Sequence, residues 1–102
     1  IGPYFFGIAN RFEEVVLQTK EQPKVRIIRM RKVPFIDSTG IHNLTTLCEM
    51  SHREGVHIIL SGVNPKVHEA LKKSGFYELL GKKNICDNIH TALEVARHYL
   101  NR

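Results

Sequence analysis

The sequence predicts an α/β domain, a small, open, mostly parallel sheet with helices packed against it. Three observations carry this. Short β-branched runs alternate with amphipathic stretches of helical period in the order β-α-β-α-β-α-(β)-α, the pattern of a sheet flanked by helices. Residues 56–60 are apolar except for His57, as a strand covered on both faces must be. The chain has 102 residues, 42% hydrophobic and 25% charged, enough for one modest core and one domain.

Each element has its own signal. Tyr4-Phe5-Phe6, bounded by Gly2-Pro3 and Gly7, reads as the end of a strand. From Ile8 onward Ala9, Phe12, Val15 and Val16 fall on a helical stripe that fades by Lys20, and Pro23 prevents its continuation. Residues 25–30, rich in Val and Ile and too short for a helix, form the next strand, and residues 33–36 carry it to a turn. After Asp37-Ser38-Thr39-Gly40 a second helix begins, with Ile41, Leu44, Leu47, Cys48 and Ser51 on one face. Gly55 is placed as its left-handed stop. Residues 56–60 are a third strand. Residues 61–65 are a loop ending in an N-cap, Asn64, and a first-turn proline, Pro65. A short helix follows with Val67, Ala70 and Leu71 inward and Gly75 as its stop. Residues 76–80 read as a short irregular piece and Ile85-Cys86 as a last small strand. Asp87 is expected to cap the final helix, whose stripe is Ile89, Ala92, Leu93, Ala96, Tyr99 and Leu100. Three of these helices are long enough to cover much of one face of the sheet.

Several function classes find no support. No apolar run approaches the ~18 residues that cross a bilayer, and no signal peptide is visible. The net charge is +5, and Lys20, Lys24, Arg26, Arg29, Arg31 and Lys32 fall in one stretch. No aromatic lies between Lys20 and Lys32, and no nucleic-acid reading motif accompanies them. A solvated rim, or a surface near anionic headgroups, accounts for the charge. The six histidines, His42, His52, His57, His68, His90 and His98, show no metal-ligand spacing. There is no nucleophile elbow and no phosphate-cradling glycine loop. Gly81-Lys82-Lys83 reads as a turn with two solvated charges. Cys48 and Cys86 lack metal or redox spacing and read as buried, reduced thiols.

Chemistry concentrates at Asp37-Ser38-Thr39-Gly40, where a central strand gives way to a helix. The first amides of a helix lack internal partners and carry the positive end of its dipole, so an anion or an acidic group can dock there. Ser38 and Thr39 offer hydroxyls, Asp37 a carboxylate, and Gly40 lets the backbone come close to a ligand. Ordinary helix capping, worth about 1 kcal/mol, explains the same residue types.

Val33-Pro34-Phe35-Ile36-Asp37-Ser38-Thr39-Gly40 resembles the signature of STAS domains, the module shared by SulP anion transporters and bacterial anti-sigma-factor antagonists. Gly2-Pro3-Tyr4-Phe5-Phe6-Gly7 resembles the opening of the transporter branch. Ile28-Arg29-Met30-Arg31, Leu60-Ser61-Gly62-Val63 and the tail 85–96, where Cys86 replaces a usual Phe, are also similar to it. The resemblance implies the STAS fold over residues 1–102 as a single domain, a fragment of a longer membrane transporter with its N-terminal strand incomplete. It implies a non-catalytic cytoplasmic regulatory or interaction domain of a SulP-type transporter of sulfate or related anions. Its place would be the cytoplasmic face of the bacterial inner membrane, the fragment itself being soluble. Implied partners are the membrane portion of the same transporter, a cytoplasmic regulatory protein, and a weakly bound nucleotide or anion. A dimer in the full-length transporter is expected; cofactor, metal and nucleic acid are not. The alternative is a free-standing anti-sigma-factor antagonist, whose phosphorylated hydroxyl maps onto Thr39, with Ser38 beside it.

Overall fold

The computed structural model describes residues 4–5, 11–19 and 22–101. The expectations resting on Gly2, Pro3, Phe6, Gly7, Ile8, Ala9 and Lys20 lie outside them. In chain order the elements are strands β1 (Tyr4–Phe5), β2 (Arg11–Thr19) and β3 (Gln22–Arg29), helix α1 (Ser38–Arg53) and strand β4 (His57–Ser61). Helices α2 (Pro65–Lys73) and α3 (Phe76–Leu80), a 3₁₀ turn (Lys82–Asn84) and helix α4 (Ile89–Leu100) complete it. The sheet runs β1-β2-β3-β4.

The expected first helix is a strand over Arg11–Thr19. β2 pairs antiparallel with β3 from Glu13 opposite Arg29 to Thr19 opposite Gln22. Val15, Val16 and Thr19 are β-branched and favour the pleat over the helix. Pro23, which lacks a donor, stands opposite Gln18 beside a register shift between Leu17 and Gln18, the setting in which a strand tolerates proline. Across this pair Arg26 Nε lies 3.0 Å from Glu14 Oε1. The sheet is therefore antiparallel through β1, β2 and β3. It is parallel between β3 and β4, where Ile27 faces Ile59.

Alternation along the central strands sends side chains to two cores. Ile28, Ile58 and Leu60 join Leu44 and Cys48 of α1, Val67 and Leu71 of α2, and Phe76 of α3. Val25, Ile27 and Ile59 meet Ala92 and Ala96 of α4 on the opposite face. The helices thus divide between the faces, and each fully buried aliphatic contributes roughly 1.5–3 kcal/mol. Ala92 and Ala96 are fully buried, so α4 packs by small side chains.

The helix boundaries follow local chemistry. Gly55 and Gly75 have φ of 76° and 80°, as stops that only glycine adopts without cost. Asn64 accepts from Val67 N at 2.8 Å with Pro65 beginning α2. The cap of α4 is Asn88, which accepts from Thr91 N at 2.9 Å; the expected cap, Asp87, turns to His68 instead. Residues 76–80, expected to be irregular, form a short helix. The expected strand at Ile85-Cys86 is an isolated parallel bridge, Ile85 to Leu60, with Cys86 N donating to Leu60 O at 2.8 Å.

Candidate functional site

Asp37 is the N-cap of α1. Its backbone is extended and its Oδ1 accepts from Gly40 N at 2.7 Å. Ser38 and Thr39, the first two helical residues, are exposed, while Gly40 is buried. The Asp37 carboxylate therefore already occupies part of the positive helix end, and what the tetrapeptide presents to solvent is two hydroxyls beside one negative charge. Phe35, two residues earlier, is 44% exposed and adds an apolar ring to this surface.

A second segment is tied to the first. Asn64 Nδ2 donates to Val33 O at 3.1 Å and to Pro34 O at 3.3 Å while its oxygen caps α2. One amide thus clamps the turn before α1 to the start of α2, so residues 37–40 and 61–65 belong to one edge of the domain. Met30 N, donating to Ser61 O at 2.8 Å, closes the same edge from the sheet side.

Beyond that loop the carboxyl ends of β3 and β4 open into a groove of about 1350 Å³, the place where open α/β sheets hold ligands. Arg29, Arg31, Lys82 and Lys83 line it together with the starts of α2 and α4. Residues 37–40 do not. His68 also lines it, with Nδ1 2.7 Å from the Tyr77 hydroxyl and Nε2 2.8 Å from Asp87 Oδ1. With the Nε2 proton donated to the carboxylate, Nδ1 accepts from Tyr77, and α2, α3 and the segment before α4 are joined through one ring. Sequence reasoning missed this groove. Its cations stand in two segments some fifty residues apart, each of which alone reads as solvated charge.

The remaining candidates are inert or structural. Cys48 and Cys86 are free and buried. Burial, aided by the charge of Glu49, pushes the Cys48 thiol up to about 12; burial and Asp87 push Cys86 up as well. Neither is a thiolate nucleophile at neutral pH. Among the described residues no group of three or more His, Cys, Asp or Glu could hold a metal ion. No described helix is long and apolar enough to cross a membrane. His57 stacks on Tyr99 with ring centroids 3.8 Å apart, which fastens β4 to α4.

Fold and site together define a small α/β domain that presents an exposed, hydroxyl-bearing helix start beside a parallel strand pair. The chain belongs to the STAS domain family, whose model matches residues 1–92. Its curated relatives are sulfate transporters. It is 34% identical over 76 residues to probable sulfate transporter 4.2 of Arabidopsis thaliana, covering 74% of this chain and 11% of that protein. It is 27% identical over 88 residues to a putative sulfate transporter of Bacillus subtilis, covering 85% and 17%. Among solved structures it resembles a sulfate transporter family protein from Wolinella succinogenes, with a TM-score of 0.77 and 40% identity over 82% of this chain and 69% of that one. The SulP transporter STAS domain of Vibrio cholerae gives 0.73 and 32% over 81% and 65%. The chain therefore spans less than a fifth of the curated relatives it matches.

Proposed function

We propose that this chain is a non-catalytic regulatory and interaction domain on the cytoplasmic face of a SulP-type transporter of sulfate or a related anion. The observation that carries this reading is the exposed signature at the start of α1, clamped by Asn64 to the 61–65 loop. Such an edge can contact another protein without disturbing either core. The transport pathway lies in the membrane portion, so residues 1–102 act as one domain on that portion or on a cytoplasmic regulator, within a dimeric transporter. The test is Ser38→Ala combined with Thr39→Ala, and separately Thr39→Asp, in the full-length transporter. We expect altered sulfate uptake or altered binding of the membrane portion, with the domain's thermal midpoint unchanged. Uptake and binding identical to wild type in both variants would overturn the docking role.

A second reading rests on the exposure of Thr39 at a helix start. There a kinase can reach the hydroxyl, and the phosphate's roughly −1.5 to −2 charges meet the helix dipole favourably and Asp37 unfavourably. In that reading the domain is a phosphorylation switch of the anti-sigma-factor-antagonist kind. Mass spectrometry of protein purified from its native host decides it: phosphate on Thr39 supports the switch, and unmodified Thr39 under all growth conditions opposes it.

A further inference from the structure

The turn between β3 and α1 leaves an apolar ring outside both cores. Val33 and Ile36 are buried there, while Pro34 and Phe35 between them are exposed, Phe35 by 44%. Slack in the loop does not account for this. Asn64 Nδ2 holds the Val33 and Pro34 carbonyls at 3.1 and 3.3 Å, and Val33 N donates to Met30 O at 3.0 Å. The backbone leading into Phe35 is thus fixed from two sides, with its ring outward. Cations flank the ring. Arg31 and Lys32 precede it, and Lys66 lies two residues beyond the clamp at the start of α2. All three are exposed, and none makes an ion pair with a described residue. The carboxylate of the same edge, Asp37, is engaged by Gly40 N. An apolar tip with a basic rim suits the boundary of a bilayer, where the ring enters below the headgroups and the cations meet anionic lipid. Lysine is depleted at protein–protein interfaces, whereas near an anionic leaflet each Lys or Arg gains about fivefold in affinity.

We propose that Phe35 and its basic rim touch the surface of an anionic bilayer. The headgroups lie against Arg31, Lys32 and Lys66, and the ring sits just beneath them. The contact rests on the membrane-face reading proposed above, but not on the roles given there to Ser38 and Thr39. Three cations and one ring hold weakly by themselves. The contact becomes effective when the transporter already keeps the domain at the membrane, because binding is then intramolecular.

The chain contains no tryptophan, so Phe35→Trp introduces a single fluorescent reporter. Met50→Trp places the same reporter at another exposed apolar position, about 18 Å further along α1. Both variants of the 102-residue chain are titrated with phosphatidylcholine vesicles containing or lacking phosphatidylglycerol, then with brominated acyl chains. Circular dichroism should show the wild-type fold for both, because both positions are exposed. Phosphatidylglycerol vesicles should blue-shift the Phe35→Trp indole and brominated lipid should quench it, with the Met50→Trp indole unchanged. Adding Lys32→Gln and Lys66→Gln to Phe35→Trp should weaken partitioning by about 25-fold. Equal shifts of both indoles, or a shift that survives the double lysine change, overturns the contact. So does no shift at either, the result expected if a protein covers Phe35. That result leaves the uptake test of Ser38 and Thr39 untouched, so the two readings fail separately.

Discussion

Gly62 and Arg31 stand so close that a side chain at Gly62 has no room. A Cβ there would lie 2.9 Å from both the nitrogen and the Cα of Arg31, and the residue holds φ at +69°. This contact brings the end of β3 against the turn after β4 and delivers Arg31 to the groove. Gly62→Ala combines a left-handed penalty of about 1–2 kcal/mol with a backbone clash of about 1–3 kcal/mol. Gly55, at φ +76° with nothing within 4 Å of its virtual Cβ, incurs only the former. Urea denaturation should therefore rank Gly62→Ala well below Gly55→Ala in stability; equal losses would refute the packing argument.

Asn64 does two jobs that different substitutions separate. Asn64→Ala loses the cap of α2 and both bonds to the Val33 and Pro34 carbonyls, a cost of about 2–3 kcal/mol. Asn64→Asp keeps a capping oxygen but turns a carboxylate toward those carbonyls. Aspartate is as good a cap as asparagine in isolation. Here it should stabilise no better than alanine, and a near-wild-type thermal midpoint for Asn64→Asp would show that the clamp is unimportant.

At the signature, capping and docking are separable by the same measurement. Asp37→Ala should cost about 1 kcal/mol through the lost bond to Gly40. Ser38→Ala and Thr39→Ala, both exposed, should stay within about 0.5 kcal/mol of wild type. A large loss of stability on changing Ser38 or Thr39 would make those hydroxyls structural and remove the reason to regard them as a contact surface.

Alkali should weaken the fold through Cys48. Its thiol ionises near 9.0 when unfolded and near 12 when folded, so above pH 9 the unfolded chain releases a proton that the folded chain retains. The stability is complete below pH 9 and declines as pH rises toward 12, by about 1 kcal/mol between pH 9 and 10. Cys48→Ala should flatten that decline by the same amount in urea titrations. An unchanged slope would assign the loss to other groups.

Much of this architecture was legible from residues alone because several elements carry two concordant signals. Residues 41–51 have helical period and Gly55 beyond, and residues 61–67 have an Asn-Pro start followed by Val67. Residues 11–19 misled because Phe12, Val15 and Val16 satisfy a helical spacing over a stretch too short to exclude a strand. Pairing with β3, a contact remote from local periodicity, decided it. Asp87 and Asn88 are both good caps, and the competing partner that takes Asp87 is His68, nineteen residues earlier. The groove escaped notice for the same reason. Arg31 and Lys82 line one groove only because the bridge between Leu60 and Ile85 draws the 3₁₀ turn to the sheet.

One face of the sheet depends largely on α4, which follows every strand in the sequence. Val25, Ile27 and Ile59 are fully covered in the finished molecule, and their cover is α4 with its buried Ala92 and Ala96. While a nascent chain lacks residues 89–100, those three aliphatic side chains stay wet, and maturation waits for the ribosome to release them a roof. A premature stop codon before Ile89 would thus yield a sticky, protease-sensitive product rather than a shortened working domain.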